Sequence, residues 1–234
     1  MLPNEMSVVL VHGAWADGSS WWKVIQPLAA EGVRVSAPPL PLTSLQDDVE
    51  ALDRALERIP GPVVLAGHAY GGAIIGSTRS DKVRALVYVA GLAPDEGETV
   101  ADVFYRTPPH PQAPQLAPDS HGWIYLPDPA FGEAFAQNAP KEELKVLAAV
   151  QKPISPACIT VSVGRPLWKE RPAWFLVAEQ DRMIAPENQH FMSERMRARV
   201  RSRRVDHTPI VTAPMAVVDI LREAIAAIRA DSAA

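Results

Sequence analysis

The 234-residue sequence has almost no cysteine. Cys158 is the only one, so neither an intrachain disulfide nor a thiolate metal cluster can form. An excess of either charge is also missing: 23 Lys and Arg stand against 27 Asp and Glu, a net charge of −4. No basic face for nucleic acid is indicated. The densest basic stretch, residues 195–204, mixes arginines with apolar residues and reads as a helix end followed by a strand with solvated arginines. There is no run of 18 or more apolar residues to span a membrane as a helix. Residues 1–6 carry Glu5 and no basic flank, unlike a secretory leader. The expectation is a cytoplasmic protein, monomeric or homodimeric, with no membrane partner. A hydrophobic fraction of 47% and a charged fraction of 21% suit one ordinary globular domain.

Proline, by contrast, is abundant. Thirteen of the 23 prolines fall between Gly91 and Pro172, so the chain changes character there. Outside that stretch, short β-rich apolar runs alternate with helical patterns. Strands are expected near residues 7–12, 33–37, 62–66, 84–90, 173–178 and 200–205. Trp21, Val24, Ile25 and Leu28 share one helical face, with Gly32 as the stop. Ser44 opens a second helix with Leu45, Val49, Leu52, Leu56 and Ile59 on one face; Asp47 and Asp48 lie in its first turn and Arg54 and Arg58 near its end, the sense the helix dipole favours. Further helices are expected over residues 186–198 and from Pro214, where Met215, Val218, Leu221, Ile225 and Ile228 form a stripe. Strands too continuously apolar for one-sided burial predict a mostly parallel six-stranded sheet with helices on both faces, an α/β fold. Such sheets carry function at the strand C-terminal ends. Residues 92–171, with helical pieces near residues 131–136 and 141–150, would form a cap over that edge.

The strand ends hold unusual residues: His12-Gly13-Ala14-Trp15 after the first, Gly67-His68-Ala69-Tyr70-Gly71-Gly72 after the third, Glu179-Gln180-Asp181-Arg182 after the fifth and Asp206-His207-Thr208-Pro209 after the sixth. A strand that turns sharply into a helix strains the residue at the bend and leaves no room for side chains two positions to either side. Gly67 and Gly71 flank position 69 with that spacing. The pattern is a G-x-S-x-G nucleophile elbow with alanine in the serine's place.

Nearly the whole chain resembles the α/β-hydrolase superfamily, and within it small esterases related to the plant hydroxynitrile lyases and methyl-ester hydrolases. The likeness is carried by Val8-Val-Leu-Val-His-Gly-Ala-Trp15, Gly67-His-Ala-Tyr-Gly-Gly72, Gln180-Asp-Arg-Met-Ile-Ala-Pro186 and Asp206-His207. It implies that Asp181 orients His207, that His207 serves the nucleophile position at Ala69, and that the Ala14 and Tyr70 N–H groups form an oxyanion hole. It further implies hydrolysis of a small or medium carboxylic ester with an apolar portion, with no cofactor and no metal. Serine needs an imidazole to take its proton, and the imidazole needs a carboxylate to hold its tautomer. Alanine has no lone pair for attack, so the chain as it stands is expected to be inactive or strongly impaired. Because both elbow glycines, the acid, the histidine and the oxyanion loop are all retained, the reading favoured is a serine enzyme in which the serine has been replaced.

Other assignments compete. Asp95, past the fourth strand, is an alternative acid; Asp206 is read as a loop cap, His12 as structural, and His68 as packed beside the elbow. His110, His121 and His190 have no spacing that suggests a metal. Trp15, His68, Trp123, Tyr125 and Phe135 are the candidate substrate-binding residues, although cap aromatics are more often core. A cofactor-free dioxygenase or a lyase using His207 and Asp181 would need no serine, and a non-catalytic ligand-binding relative would need no catalysis. A hydroxynitrile lyase fits less well, since Gly13 and Thr208 stand where the plant lyases carry Thr and Lys.

Overall fold

The computed structural model describes residues 6–231; the reading of the first residues as lacking a leader lies outside that range. Six strands form one sheet in the order β2-β1-β3-β4-β5-β6. They are β1 (Ser7–Val11), β2 (Arg34–Ser36), β3 (Val63–His68), β4 (Val83–Val89), β5 (Ala173–Ala178) and β6 (Arg199–Arg203). Every neighbouring pair is parallel. β1, β3 and β5 are buried along their whole length, which explains their predominantly apolar composition. β6 is an exposed edge strand carrying arginines, a composition that protects an edge from pairing with another chain.

Helices cover both faces. α1 (Trp22–Ala30), α8 (Pro209–Thr212) and α9 (Pro214–Asp231) pack together, α9 lying on β3, β4 and β5. α2 (Leu45–Arg58) packs on α3 (Gly71–Ser77), which lies on β1, β3 and β4, and α7 (Pro186–Arg195) packs on β5. Ser44 caps α2, its side chain accepting the Asp47 N–H at 3.0 Å. Gly32 adopts the left-handed backbone that ends α1, whereas α2 ends in an extended Ile59. One expectation gains a feature and one changes. Asp48 lies in the first turn of α2 as expected, and it is fully buried on the same face as Leu45 and Leu52. Met215 stands half exposed in the first turn of α9, and burial there begins at Val217.

Residues 92–171 join β4 to β5 through short pieces: α4 (Val100–Phe104), α5 (Asp128–Ala130) running into a π-helical turn over Phe131–Phe135, α6 (Lys141–Ala149), and 3-10 turns at Pro156–Cys158 and Leu167–Lys169. Two isolated bridges, Thr99 with Ser162 and Ile124 with Ile154, tie the segment to itself. Its prolines keep the pieces short, because each removes a donor and bars the preceding residue from helix.

Backbone crowding fixes the bend after β3. A side chain at Gly67 would sit 2.5 Å from the Gly71 carbonyl oxygen, and one at Gly71 would sit 2.6 Å from that of Val11. Gly71→Ala is therefore expected to lower the unfolding free energy by about 1–3 kcal/mol. Gly164→Ala, with Arg79 Nη2 at 3.6 Å as its nearest neighbour, should leave it within about 0.5 kcal/mol. Urea denaturation of the two variants checks the contrast, and equal stabilities would refute the crowding.

Candidate active site

Ala69 follows the last residue of β3 with φ +49°, a conformation costly for any residue with a Cβ. Hydrogen bonds hold it: its N–H donates to the Val89 carbonyl at 3.2 Å, and its own carbonyl accepts from Leu92 N–H at 2.9 Å and Gly72 N–H at 3.0 Å. The backbone therefore leaves β3, stands the Ala69 methyl at the tip and enters α3 at once. Gly13 must lack a side chain for the same reason, since a Cβ there would lie 3.0 Å from the Ala69 Cβ.

Sheet pairing brings the acid and the histidine together. The Glu179 N–H donates to the Arg203 carbonyl and the Gln180 N–H to that of Val205, so the loops after β5 and β6 leave the sheet side by side. His207 Nδ1 then lies 2.8 Å from Asp181 Oδ2, with both side chains buried. Asp181 Oδ1 accepts the N–H groups of Met183 at 2.7 Å and Ile184 at 2.8 Å, and Oδ2 accepts Gln189 Nε2 at 2.8 Å. A carboxylate receiving three other donors keeps its acceptor character, so the imidazole proton is held on Nδ1 and the lone pair on Nε2. Asp95 is elsewhere, pairing with Lys169. Among the described residues the acid beside His207 is Asp181, and the alternative is set aside.

One cavity of about 80 Å3 takes in Ala69 and His207, with Ala14, Trp15 and Tyr70. The rest of its wall is apolar, notably Leu92, Val100, Phe104, Leu116 and Ile154. Among the described residues that line it, the only hydroxyls belong to Tyr70 and Tyr105. The Tyr70 hydroxyl donates to the buried Asp48 Oδ2 at 2.8 Å, and burial beside that carboxylate pushes its pKa far above the ordinary phenol value. Cys158 Sγ also contacts Asp48, lies off the cavity wall, and is pushed up to about 12, chiefly by burial. Asp48 itself is raised by burial. Neither the Tyr70 hydroxyl, held by Asp48, nor the Cys158 thiol, off the wall, offers a ready substitute for serine. Among the described residues, the Ala14 and Tyr70 N–H groups donate to no acceptor in the chain.

The expected substrate-binding residues scatter. Trp15 is on the cavity wall, pinned by its indole N–H to the Ile124 carbonyl at 3.0 Å and its backbone N–H to that of Lys152 at 3.1 Å. Tyr125 is half exposed, Trp123 partly so, and neither reaches the cavity, because the Ile124–Ile154 bridge turns Ile124 inward between them. Phe135 is buried behind the site and packs on Trp15 at 6.3 Å and on the His207 ring at 5.4 Å. His68 is wholly buried, with Nε2 2.8 Å from the His207 carbonyl, and is not on the wall. These four therefore stand around the cavity and do not line it. Asp206 caps its loop through Thr208 N–H at 3.2 Å and reaches across to Asn138 N–H at 2.9 Å.

Sequence reasoning missed Gln189 and Asp48. Gln189 links Asp181 to the Ala178 N–H at 2.9 Å, but nothing in the sequence marks it out on a polar helix. Asp48 could have been found, since it interrupts the apolar spacing between Leu45 and Leu52.

A sharp bend at residue 69 and a histidine held by a buried carboxylate border one cavity at the C-terminal edge of a parallel sheet, the setting in which the α/β-hydrolase pattern is found. Residues 8–220 match the family model described as "Alpha/beta hydrolase family", and the chain belongs to that family. Methylesterase 8 of Arabidopsis thaliana is 25% identical over 240 residues, covering 91% of this chain and 87% of that protein. The crystal structure of polyneuridine aldehyde esterase superposes with a TM-score of 0.81 at 20% identity, over 94% of this chain and 98% of the other. A pyrethroid hydrolase from Sphingobium faniae JZ-2 gives 0.81 at 21% identity, over 95% and 98%. No helix among the described residues is long and apolar enough to cross a membrane.

Burial lowers the pKa of His12 to about 4 and of His68 to about 3. Both are held below the unfolded value of about 6.5, so the unfolded chain binds more protons and stability falls as pH drops below that value. Each costs about 2 kcal/mol between pH 6.5 and pH 5. NMR titration should show both imidazoles neutral at pH 5. A midpoint near 6.5 for either would contradict the burial argument.

Proposed function

We propose that the chain is a carboxylic-ester hydrolase in architecture, with alanine at the nucleophile position. In this reading His207 is the general base and then acid, Asp181 orients it, and the Ala14 and Tyr70 N–H groups receive the oxyanion. Residues 92–171 act as the cap, and Trp15 is part of the substrate pocket. The observation that carries the reading is the opening of Ala69 and His207 onto one apolar cavity at the strained bend. The names of the relatives, a methylesterase and a pyrethroid hydrolase among them, support a small ester with an apolar portion as substrate.

The chemistry follows from what is present and what is not. An ester carbonyl seated over the bend would place its oxygen against the two N–H groups and its carbon against position 69. A serine there would attack, with Nε2 taking its proton. The methyl group forms no such bond, so no acyl-enzyme forms at this position. Loss of that nucleophile costs on the order of a million-fold in turnover in a comparable triad, and the chain as it stands binds esters with little or no hydrolysis.

Ala69→Ser is expected to raise hydrolysis of p-nitrophenyl acetate by at least about a thousand-fold and to confer covalent labelling by a fluorophosphonate. Adding Asp181→Asn to that variant should remove most of the gain. A folded Ala69→Ser variant that neither labels nor hydrolyses would end the reading.

A further inference from the structure

Without a nucleophile, the site still holds a base and oxyanion donors. His207 Nδ1 is committed to Asp181, and among the described residues this is the one hydrogen bond of the ring, which leaves the Nε2 lone pair open. His207 lies on the cavity wall with the Ala69 methyl. In a serine enzyme the hydroxyl would occupy that lone pair. Here it is available to the ligand. The Ala14 and Tyr70 N–H groups are free to receive an oxygen on which negative charge develops. A fixed base and fixed oxyanion donors in an apolar cavity are the equipment for taking a proton from carbon next to a carbonyl.

We propose that the chain, with alanine at position 69, catalyses proton transfer at the carbon of a neutral, apolar 1,3-dicarbonyl compound: a β-diketone or a β-keto ester. The proposal rests on the same assignment of His207, Ala14 and Tyr70 as the ester reading but asks nothing of the nucleophile position. The substrate class follows from two features. An imidazole is too weak a base for the carbon beside a single ester carbonyl, whereas a carbon between two carbonyls is acidic enough. Among the described residues no Lys or Arg lines the cavity, so a carboxylate would lose its hydration there without a counter-charge, and the ligand must be neutral.

The step balances without a co-reactant. The C–H bond breaks, its proton passes to Nε2, and the electron pair moves onto the carbonyl oxygen held by the two N–H groups. Asp181 offsets the imidazolium charge while it lasts. Return of the proton to the same carbon, or of a deuteron after exchange with solvent, regenerates both partners. The net results are isotope exchange and loss of configuration at that carbon.

The test uses the unmodified chain and ethyl 2-methylacetoacetate in D2O near neutral pD, with loss of the single C2 proton followed by NMR. Exchange is expected to be saturable in substrate and about a hundred-fold or more faster than in buffer. His207→Gln should return it to the buffer rate while keeping the native circular dichroism spectrum and a cooperative melt. Ala69→Ser should slow exchange, because the new hydroxyl occupies Nε2, while ester hydrolysis appears. Exchange at the buffer rate with folded chain, or exchange unaltered in folded His207→Gln, overturns the proposal. If Ala69→Ser gains esterase activity while the unmodified chain exchanges nothing, the proton-transfer proposal fails and the ester reading stands. Exchange that depends on His207, without any esterase gain in Ala69→Ser, supports proton transfer and ends the ester reading.

Discussion

Everything at the site depends on one crowded bend. The chain leaves the centre of the sheet at His68 and begins a helix at Gly71, which forces Ala69 into a left-handed backbone conformation and brings segments of main chain into contact around it. Gly67, Gly71 and Gly13 are small because their neighbours are backbone or the Ala69 methyl itself. A side chain at position 69 has nowhere to go but toward the cavity. Local strain of this kind persists only where surrounding structure over-determines it, and here the flanking strands are buried β1 and, apart from Arg84, buried β4. The same constraint that would present a nucleophile presents a methyl group.

The second dependence is the route by which His207 is held. Its ring is oriented by Asp181, Asp181 by Gln189 and two backbone N–H groups, and its carbonyl by His68. The segment between β4 and β5 adds a clamp: Phe135 packs on the imidazole, its carbonyl accepts the Thr208 hydroxyl, and Gln137 donates to the Gln180 carbonyl at 2.7 Å. These contacts come from the π-helical turn at Phe131–Phe135, a distortion often found at functional positions, and the residues just after it. This segment and the histidine loop are thus one packed unit.

Much of this was legible in the sequence because it depends on short-range rules. Continuous Val and Leu runs mark buried parallel strands, and all six lie within a few residues of the ends expected for them. The Gly67–Gly71 spacing marks the bend, and Asp181 and His207 follow in an order that a parallel sheet can bring together. What was not legible depends on long-range packing. The Pro-rich segment has no period to read, so nothing near Trp123 and Tyr125 could foretell that the bridge at Ile124 turns that residue, and not its two neighbours, to the cavity. Phe135 stood out as an aromatic of that segment, but its place is behind the imidazole. The place of Asp48 in the first turn of α2 was legible, but its partner was missed: a carboxylate in an apolar stripe signals a buried donor, here the Tyr70 hydroxyl.

The central claim is convergence: the side chain at position 69, the imidazole of His207 and the N–H groups of Ala14 and Tyr70 meet around one point. The most direct measurement is a crystal structure of the Ala69→Ser variant soaked with a small alkyl fluorophosphonate. The account predicts phosphorus bonded to the introduced oxygen, its free oxygen within hydrogen-bond distance of both N–H groups, and Nε2 of His207 beside the leaving position. A phosphonate bound to another residue, or a free oxygen directed away from Ala14 and Tyr70, would contradict it.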